Sequence, residues 1–134
     1  MPRPARAEAA VARILIAEDE EPLRALVARA LISDGHEVVT AADGAEALDR
    51  LQSEGGAFDL LLTDIKMPVM DGLALALATA RDFPKLPILL MTGFADQRER
   101  ASGIEALVSD VISKPFSVAE IKFAVTAALA KGKR

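Results

Sequence analysis

Five polar side chains stand where apolar runs give out: Glu18 and Asp19 after Ile14-Leu15-Ile16-Ala17, Asp64 after Leu60-Leu61-Leu62-Thr63, Thr92 after Ile88-Leu89-Leu90-Met91, and Lys114 after Val111-Ile112-Ser113. Short apolar runs bounded by polar groups read as buried strands. Open α/β sheets keep their chemistry at the carboxyl ends of such strands. Crowded carboxylates repel one another, and a cation relieves them. A few oxygen ligands open to water suit Mg2+. In that setting Asp64 is placed as a nucleophile toward phosphorus, forming an aspartyl phosphate. Thr92 and Lys114 are placed to donate charge-assisted hydrogen bonds to the phosphoryl oxygens. No His or Glu is positioned as a general base, which suits a site that accepts phosphate and holds it.

The elements that must position these groups alternate along the chain. After the strand at 14–17, Pro22 opens a helix with Leu23, Leu26, Val27, Ala30 and Leu31 on one stripe, and Gly35 ends it. Residues 36–41 suit a strand near the sheet edge. Residues 45–52 form a helix with Ala47, Leu48 and Leu51 inward, broken by Gly55-Gly56. The strand at 59–63 leads through Met67-Pro68 to a helix over 72–83. Its Leu/Ala composition supports a helix by propensity as much as by pattern, with Leu73, Ala76, Leu77 and Ala80 as the expected buried stripe. A strand at 88–91 precedes a polar helix over 96–103, where Asp96 and Glu99 resemble a capping box. Its few apolar anchors predict mobility. A strand over 107–112 and a helix capped by Ser117 with Glu120 complete the pattern. Ile121, Ala124, Val125 and Ala128 point that helix inward, while Phe123 falls off the stripe and is expected to be exposed.

Five strands alternating with helices predict a parallel sheet with helices on both faces. The flavodoxin-like order 2-1-3-4-5 fits best at this length. Strands 1 and 3 are then neighbours, so Glu18, Asp19 and Asp64 converge. Strand 5 lies two strands from strand 3, roughly 10 Å away, a gap that a lysine side chain largely spans.

With 134 residues, the chain has the length of one domain. We expect a disordered tail over 1–11, the domain over 12–131, and a frayed basic tail over 132–134. A net charge of −4 argues against direct nucleic-acid binding. The absence of Cys excludes disulfides and thiolate metal sites and fits a reducing, cytoplasmic compartment. The single His36 rules out a multi-His metal site and sits far from the acidic edge, so a structural role is expected. No apolar run is long enough to span a bilayer or to serve as a secretory signal.

Four motifs in order, Ile-Leu-Ile-Ala-Glu-Asp-Glu, Leu-Leu-Leu-Thr-Asp-Ile-Lys-Met-Pro-Val-Met-Asp-Gly, Leu-Leu-Met-Thr-Gly and Ser-Lys-Pro-Phe, resemble the receiver domains of two-component response regulators over about residues 12–131. The resemblance implies Asp64 as phosphoacceptor, Asp19 as a direct Mg2+ ligand, Glu18 acting through water, and a metal contact from the backbone carbonyl of Lys66. It implies that Thr92 and Lys114 convey the phosphorylated state, and that the Lys114-Pro115 bond is cis. Two positions depart from the family pattern. Val111 stands where an aromatic switch residue is common, three before the lysine, and Glu18 stands where Asp is common. With Gly93 loosening the following loop, the expectation is signalling by ordering of residues 93–106 rather than by burial of a ring. Lys66 and Phe94 flank the site and are expected to affect phosphate lifetime.

The resemblance further implies a phosphohistidine donor, either a histidine kinase or a histidine phosphotransfer protein. It implies no enzymatic turnover beyond self-phosphotransfer and autodephosphorylation. With no output domain in the chain, signalling is expected through protein contact on the surface of the fourth helix, fifth strand and fifth helix, with Phe123 a candidate and a second copy a further partner. Among receivers, the chain looks most like those fused to hybrid sensor kinases and the small CpdR-like alphaproteobacterial receivers. Two rival readings stand beside this one. An aspartate-nucleophile phosphatase typically carries a second Asp two residues on, where this chain has Lys66. A phosphorylation-independent binding module is favoured by Val111 and opposed by the intact acids.

Overall fold

The computed structural model describes residues 11–93 and 95–132, with 95–98 described by their backbone. Residues 1–10 of the expected tail, Phe94, and 133–134 lie outside the described residues. The strands are β1 (Arg13–Ala17), β2 (Glu37–Ala41), β3 (Leu60–Asp64), β4 (Ile88–Thr92) and β5 (Asp110–Ser113). The helices are α1 (Glu21–Ser33), α2 (Gly44–Ser53), α3 (Gly72–Asp82), α4 (Ala95–Ser102) and α5 (Val118–Gly132). All strands pair in parallel, in the order β2-β1-β3-β4-β5. The flavodoxin-like expectation holds, and β2 is an edge strand.

Covering both faces explains why β3 and β4 are buried at every position. Alternation along the strands divides the core into two. Leu15, Leu61, Ile88 and Leu90 face Ala47 and Leu51 of α2 and Leu73, Leu75 and Ala76 of α3. Ile14, Ile16, Leu60, Leu62, Leu89 and Met91 face Val27, Ala30 and Leu31 of α1 and Ile121, Val125 and Ala128 of α5. Gly35, at φ +93°, follows the end of α1 as expected. Ser117 and Glu120 form the reciprocal cap of α5, Glu120 N donating to Ser117 Oγ at 3.0 Å and Ser117 N to Glu120 Oε1 at 2.7 Å. At α2, Asp43 Oδ1 accepts from Glu46 N at 2.8 Å, while Glu46 Oε1 reaches back to accept from Ala42 N at 2.8 Å. His36 is buried and structural: its Nδ1 accepts from Ala12 N at 3.1 Å, fixing the chain's entry into β1.

Several expectations need correction. Leu26 is exposed, because Val27, Ala30 and Leu31 take the face of α1 toward the sheet. In α3, Leu77 is exposed and Ala80 half-buried, while Leu75 and Thr79 are buried. A helix apolar nearly all round has no polar face to define its phase; the close approach of Gly72 to the Asp64 carbonyl sets it instead. Leu107 belongs to a short 3-10 turn, Glu105–Leu107, and β5 begins only at Asp110. The fourth helix starts at Ala95, one residue before the expected capping Asp96, whose side chain lies outside those described. The last helix runs through Gly132, which the sequence assigned to a frayed end. There the missing β-carbon admits Pro87, whose Cγ would lie 2.7 Å from it.

Candidate functional site

The ladder registers bring the strand ends together. Ala17 pairs with Thr63, Asp64 with Met91, and Thr92 with Ser113, so residues 18, 64, 92 and 114 emerge along one edge. Carboxylate oxygens of Glu18, Asp19 and Asp64 all lie within 4.8 Å of one another. Glu18 is completely buried and Asp64 nearly so, while Asp19 is exposed. Lys114 Nζ reaches both buried acids, 3.0 Å from Glu18 Oε1 and 3.1 Å from Asp64 Oδ1. The Lys114-Pro115 bond is cis.

Burial raises Glu18 to about 7, with the nearby Asp64 adding to the push; the Glu20 amide and Lys114 oppose it. Burial also raises Asp64, against the opposing pull of Lys114. Burial works against the charge on Lys114, but Asp64 and Glu18 outweigh it and hold the ammonium above its ordinary value. One lysine thus balances two acids whose proton affinity is already raised, and among the described residues the third acid, Asp19, stands beside them without an ion-pair partner. The donor set is all oxygen, crowded, and short of positive charge, which fits a hard divalent cation such as Mg2+.

Thr92 is buried at the end of β4, and among the described residues its Oγ1 has no hydrogen-bond partner. A buried hydroxyl left unpaired is costly and is rare in folded proteins. Its backbone carbonyl accepts from Lys114 N at 2.6 Å, tying the two residues together. Asp19, Asp64, Lys66 and Lys114 line a cavity of about 580 Å³, walled on one side by Leu23, Pro115 and Phe116. Val111 is half-buried and packs against the α2/α3 side of the core.

Some functional contacts were not foreseen. Glu20 donates its amide to Glu18 Oε2 at 3.0 Å and lines the cavity. Arg24 Nη1 donates to the Glu18 carbonyl at 2.8 Å. Gly72 N donates to Ile65 O at 2.7 Å, and a β-carbon there would overlap the Asp64 carbonyl. The Asp71-Gly72 pair was the available signal, since Gly is used where backbone must approach backbone. Asp71 accepts from Ala74 N at 2.9 Å and from Arg100 Nη2 at 2.6 Å, the latter contact joining α3 to α4. Phe94, expected to flank the site, lies outside the described residues.

Residues 14–126 match the family model described as the response regulator receiver domain. This chain belongs to the response regulator receiver domain family. The receiver is 40% identical over 109 residues to the response regulator receiver protein CpdR of Brucella abortus, covering 81% of this chain and 89% of CpdR. It is 35% identical over 109 residues to the transcriptional regulatory protein TcrA of Mycobacterium tuberculosis, covering 81% of this chain but only 42% of TcrA. The receiver therefore spans about half the length or less of several curated relatives it matches. Its fold superposes on the response regulator TrrA of Thermotoga maritima, solved in complex with Mg2+-BeF. That match has a TM-score of 0.76 and 32% identity, covering 85% of this chain and 96% of TrrA. The two-component signalling family expected from the motifs is thus the family of this protein, and its fold is CheY-like. No described helix is long and apolar enough to cross a membrane.

Proposed function

We propose that this receiver takes a phosphoryl group from a phosphohistidine, on a histidine kinase or a histidine phosphotransfer protein, onto Asp64. The observation that carries this reading is the Asp64 carboxylate itself: nearly buried, gripped by Lys114 at 3.1 Å, and grouped with Glu18 and Asp19 beside an open cavity. An Asp64 oxygen attacks phosphorus, the P–N bond to the donor imidazole breaks, and the new P–O bond leaves an aspartyl phosphate. Lys114 and Thr92 donate to the transferred oxygens; for Thr92, this supplies a partner that its buried hydroxyl lacks among the described residues. Glu18, Asp19, Asp64 and the Lys66 carbonyl would hold Mg2+, which supplies positive charge against the phosphoryl oxygens when bound. That the relative TrrA was solved in complex with Mg2+-BeF supports an Mg2+ site of this kind.

The product is a state, and the receiver's chemistry ends with self-phosphotransfer and autodephosphorylation. That state is passed on in the cytoplasm by protein contact on the α4-β5-α5 surface, where Phe123 is 77% exposed. The partner there is a downstream protein or a second copy. With Val111 in place of an aromatic ring, the change runs through ordering of residues 93–106.

Acetyl phosphate with Mg2+, given to the wild type and Asp64→Asn, tests the reading. A single adduct per chain, lost in the variant, is expected. Release of many equivalents of phosphate with no adduct accumulating would indicate a phosphatase. A wild type that takes no adduct would favour a phosphorylation-independent binding module, the reading that Val111 keeps open.

A further inference from the structure

Among the described residues, few side chains of α4 hold it to the rest of the molecule. Its sequence, Ala-Asp-Gln-Arg-Glu-Arg-Ala-Ser, supplies one described buried side chain, Ala101, with Ile104 packing just beyond its end. The Ser102 hydroxyl donates back to the Glu99 carbonyl and so adds nothing between elements. Among the described residues, the ion pair from α4 to another element is Arg100 Nη2 to Asp71 Oδ2, at 2.6 Å.

Asp71 is no ordinary surface acid. Its other oxygen, Oδ1, caps α3 by accepting from Ala74 N. The next residue, Gly72, is bonded to the Ile65 carbonyl and pressed against the Asp64 carbonyl. Asp64 and Arg100 are therefore joined by the tight backbone contact of Gly72 and, from the adjacent Asp71, by a side-chain ion pair. Between Asp64 and Asp71 runs the loop of residues 65–70. It holds Met70 N to Pro68 O at 2.7 Å and places Val69 at φ +68°, a region a β-branched residue enters with strain.

We propose that the Arg100–Asp71 ion pair is the link through which α4 becomes ordered when Asp64 carries a phosphoryl group, with Arg100 as a positioning residue. This rests on the reading of Asp64 as phosphoacceptor. Both partners are partly exposed, Arg100 at 49% and Asp71 at 30%. A pair so placed is weak because most of its Coulomb energy is offset by the entropy of holding two side chains still. Fixing one partner in advance removes part of that loss. Groups binding at Asp64 and at the Lys66 carbonyl fix the loop, the loop fixes Asp71, and Arg100 then meets a stationary acceptor. Coupling through rigidity needs no large displacement, and it is read as protection from exchange. A change of about three- to fivefold in α4 amide protection sits at or just below the low end of typical couplings, as suits a partly exposed ion pair.

The test is amide hydrogen exchange over residues 95–102, with and without beryllofluoride and Mg2+, in the wild type, Arg100→Ala, Asp71→Asn and the double variant. Asp71→Asn keeps an oxygen for the Ala74 amide while losing the charge. The wild type is expected to gain about three- to fivefold protection in α4. Each single variant is expected to lose that gain, and the double variant to lose no more than either. Arg100→Lys is expected to restore part of it. Labelling of Arg100→Ala by acetyl phosphate is expected to match the wild type, since Arg100 touches none of the site residues. A full wild-type gain in Arg100→Ala, or no gain in the labelled wild type, overturns the link and leaves the phosphoacceptor reading intact. A wild type that takes no phosphoryl group overturns both.

Discussion

Gly72 lies against the carbonyl of Asp64 so closely that a β-carbon on it would overlap that oxygen. The helix carrying the Asp71 cap is thus seated directly on the backbone of the proposed phosphoacceptor. Ordinarily, Gly→Ala in a helix gains about 1 kcal/mol. Here the clash is with backbone and cannot be relieved by turning a side chain. Gly72→Ala is expected to lower stability by about 3 kcal/mol, read as a reduced urea midpoint. Gly35→Ala is the control: its β-carbon would meet nothing, and the cost is that of φ +93°, about 1 kcal/mol.

Lys114 is the counter-charge to Glu18 and Asp64, and removing it leaves two crowded acids unbalanced. Lys114→Met is expected to lose about 2 kcal/mol of stability in EDTA. Millimolar Mg2+ is expected to restore more stability to the variant than to the wild type, because the cation then replaces the missing ammonium. Thermal melts of both proteins with and without Mg2+ check this; equal Mg2+ shifts in the two would refute it.

Val69 is 84% exposed at φ +68°, so it bears backbone strain without gaining burial. Asn tolerates that region through its short polar side chain. Val69→Asn is expected to stabilise the fold by about 1 kcal/mol and raise Tm by about 3–4 °C. Differential scanning calorimetry would show it.

Burial lowers the pKa of His36, against the opposing pull of Asp34 and Asp59. The unfolded chain takes up this proton near its ordinary value of 6.5, and the folded chain only at lower pH. The folded state binds fewer protons in that window, so stability rises with pH there. The contribution is complete above pH 6.5 and is lost as pH falls through the folded value. Urea midpoints at about pH 7.5 and 5.5 are expected to differ more in the wild type than in His36→Gln, which retains an acceptor for Ala12 N without titrating in this range.

Strand order and the main site residues were legible because both follow from contrast along the chain. Apolar runs cut off by Glu18-Asp19, Asp64, Thr92 and Lys114 mark strand ends, and the crossover rule then leaves few ways to order the strands. The same contrast reads Ser117 and Glu120 as a cap. Where contrast is lacking, the reading slipped. α3 is apolar nearly all round, so nothing in its sequence marks Leu77 as outward, and nothing local distinguishes a strand at Leu107 from a single 3-10 turn.

The sequence by itself determined which groups meet. Five polar residues at the ends of alternating elements are brought together by any parallel sheet of this order. Only the tertiary structure decided how they share charge. Glu18 is fully buried with Lys114 on one oxygen and the Glu20 amide on the other, and the Thr92 hydroxyl has no partner among the described residues. Only the tertiary structure showed Arg100, far along the chain, resting on Asp71 beside the Asp64 loop. The physical reason is range. Periodicity and capping act over a few residues and leave a mark in the sequence. The pairing of one charge with another across 29 residues depends on helix phase and loop path, which packing alone sets.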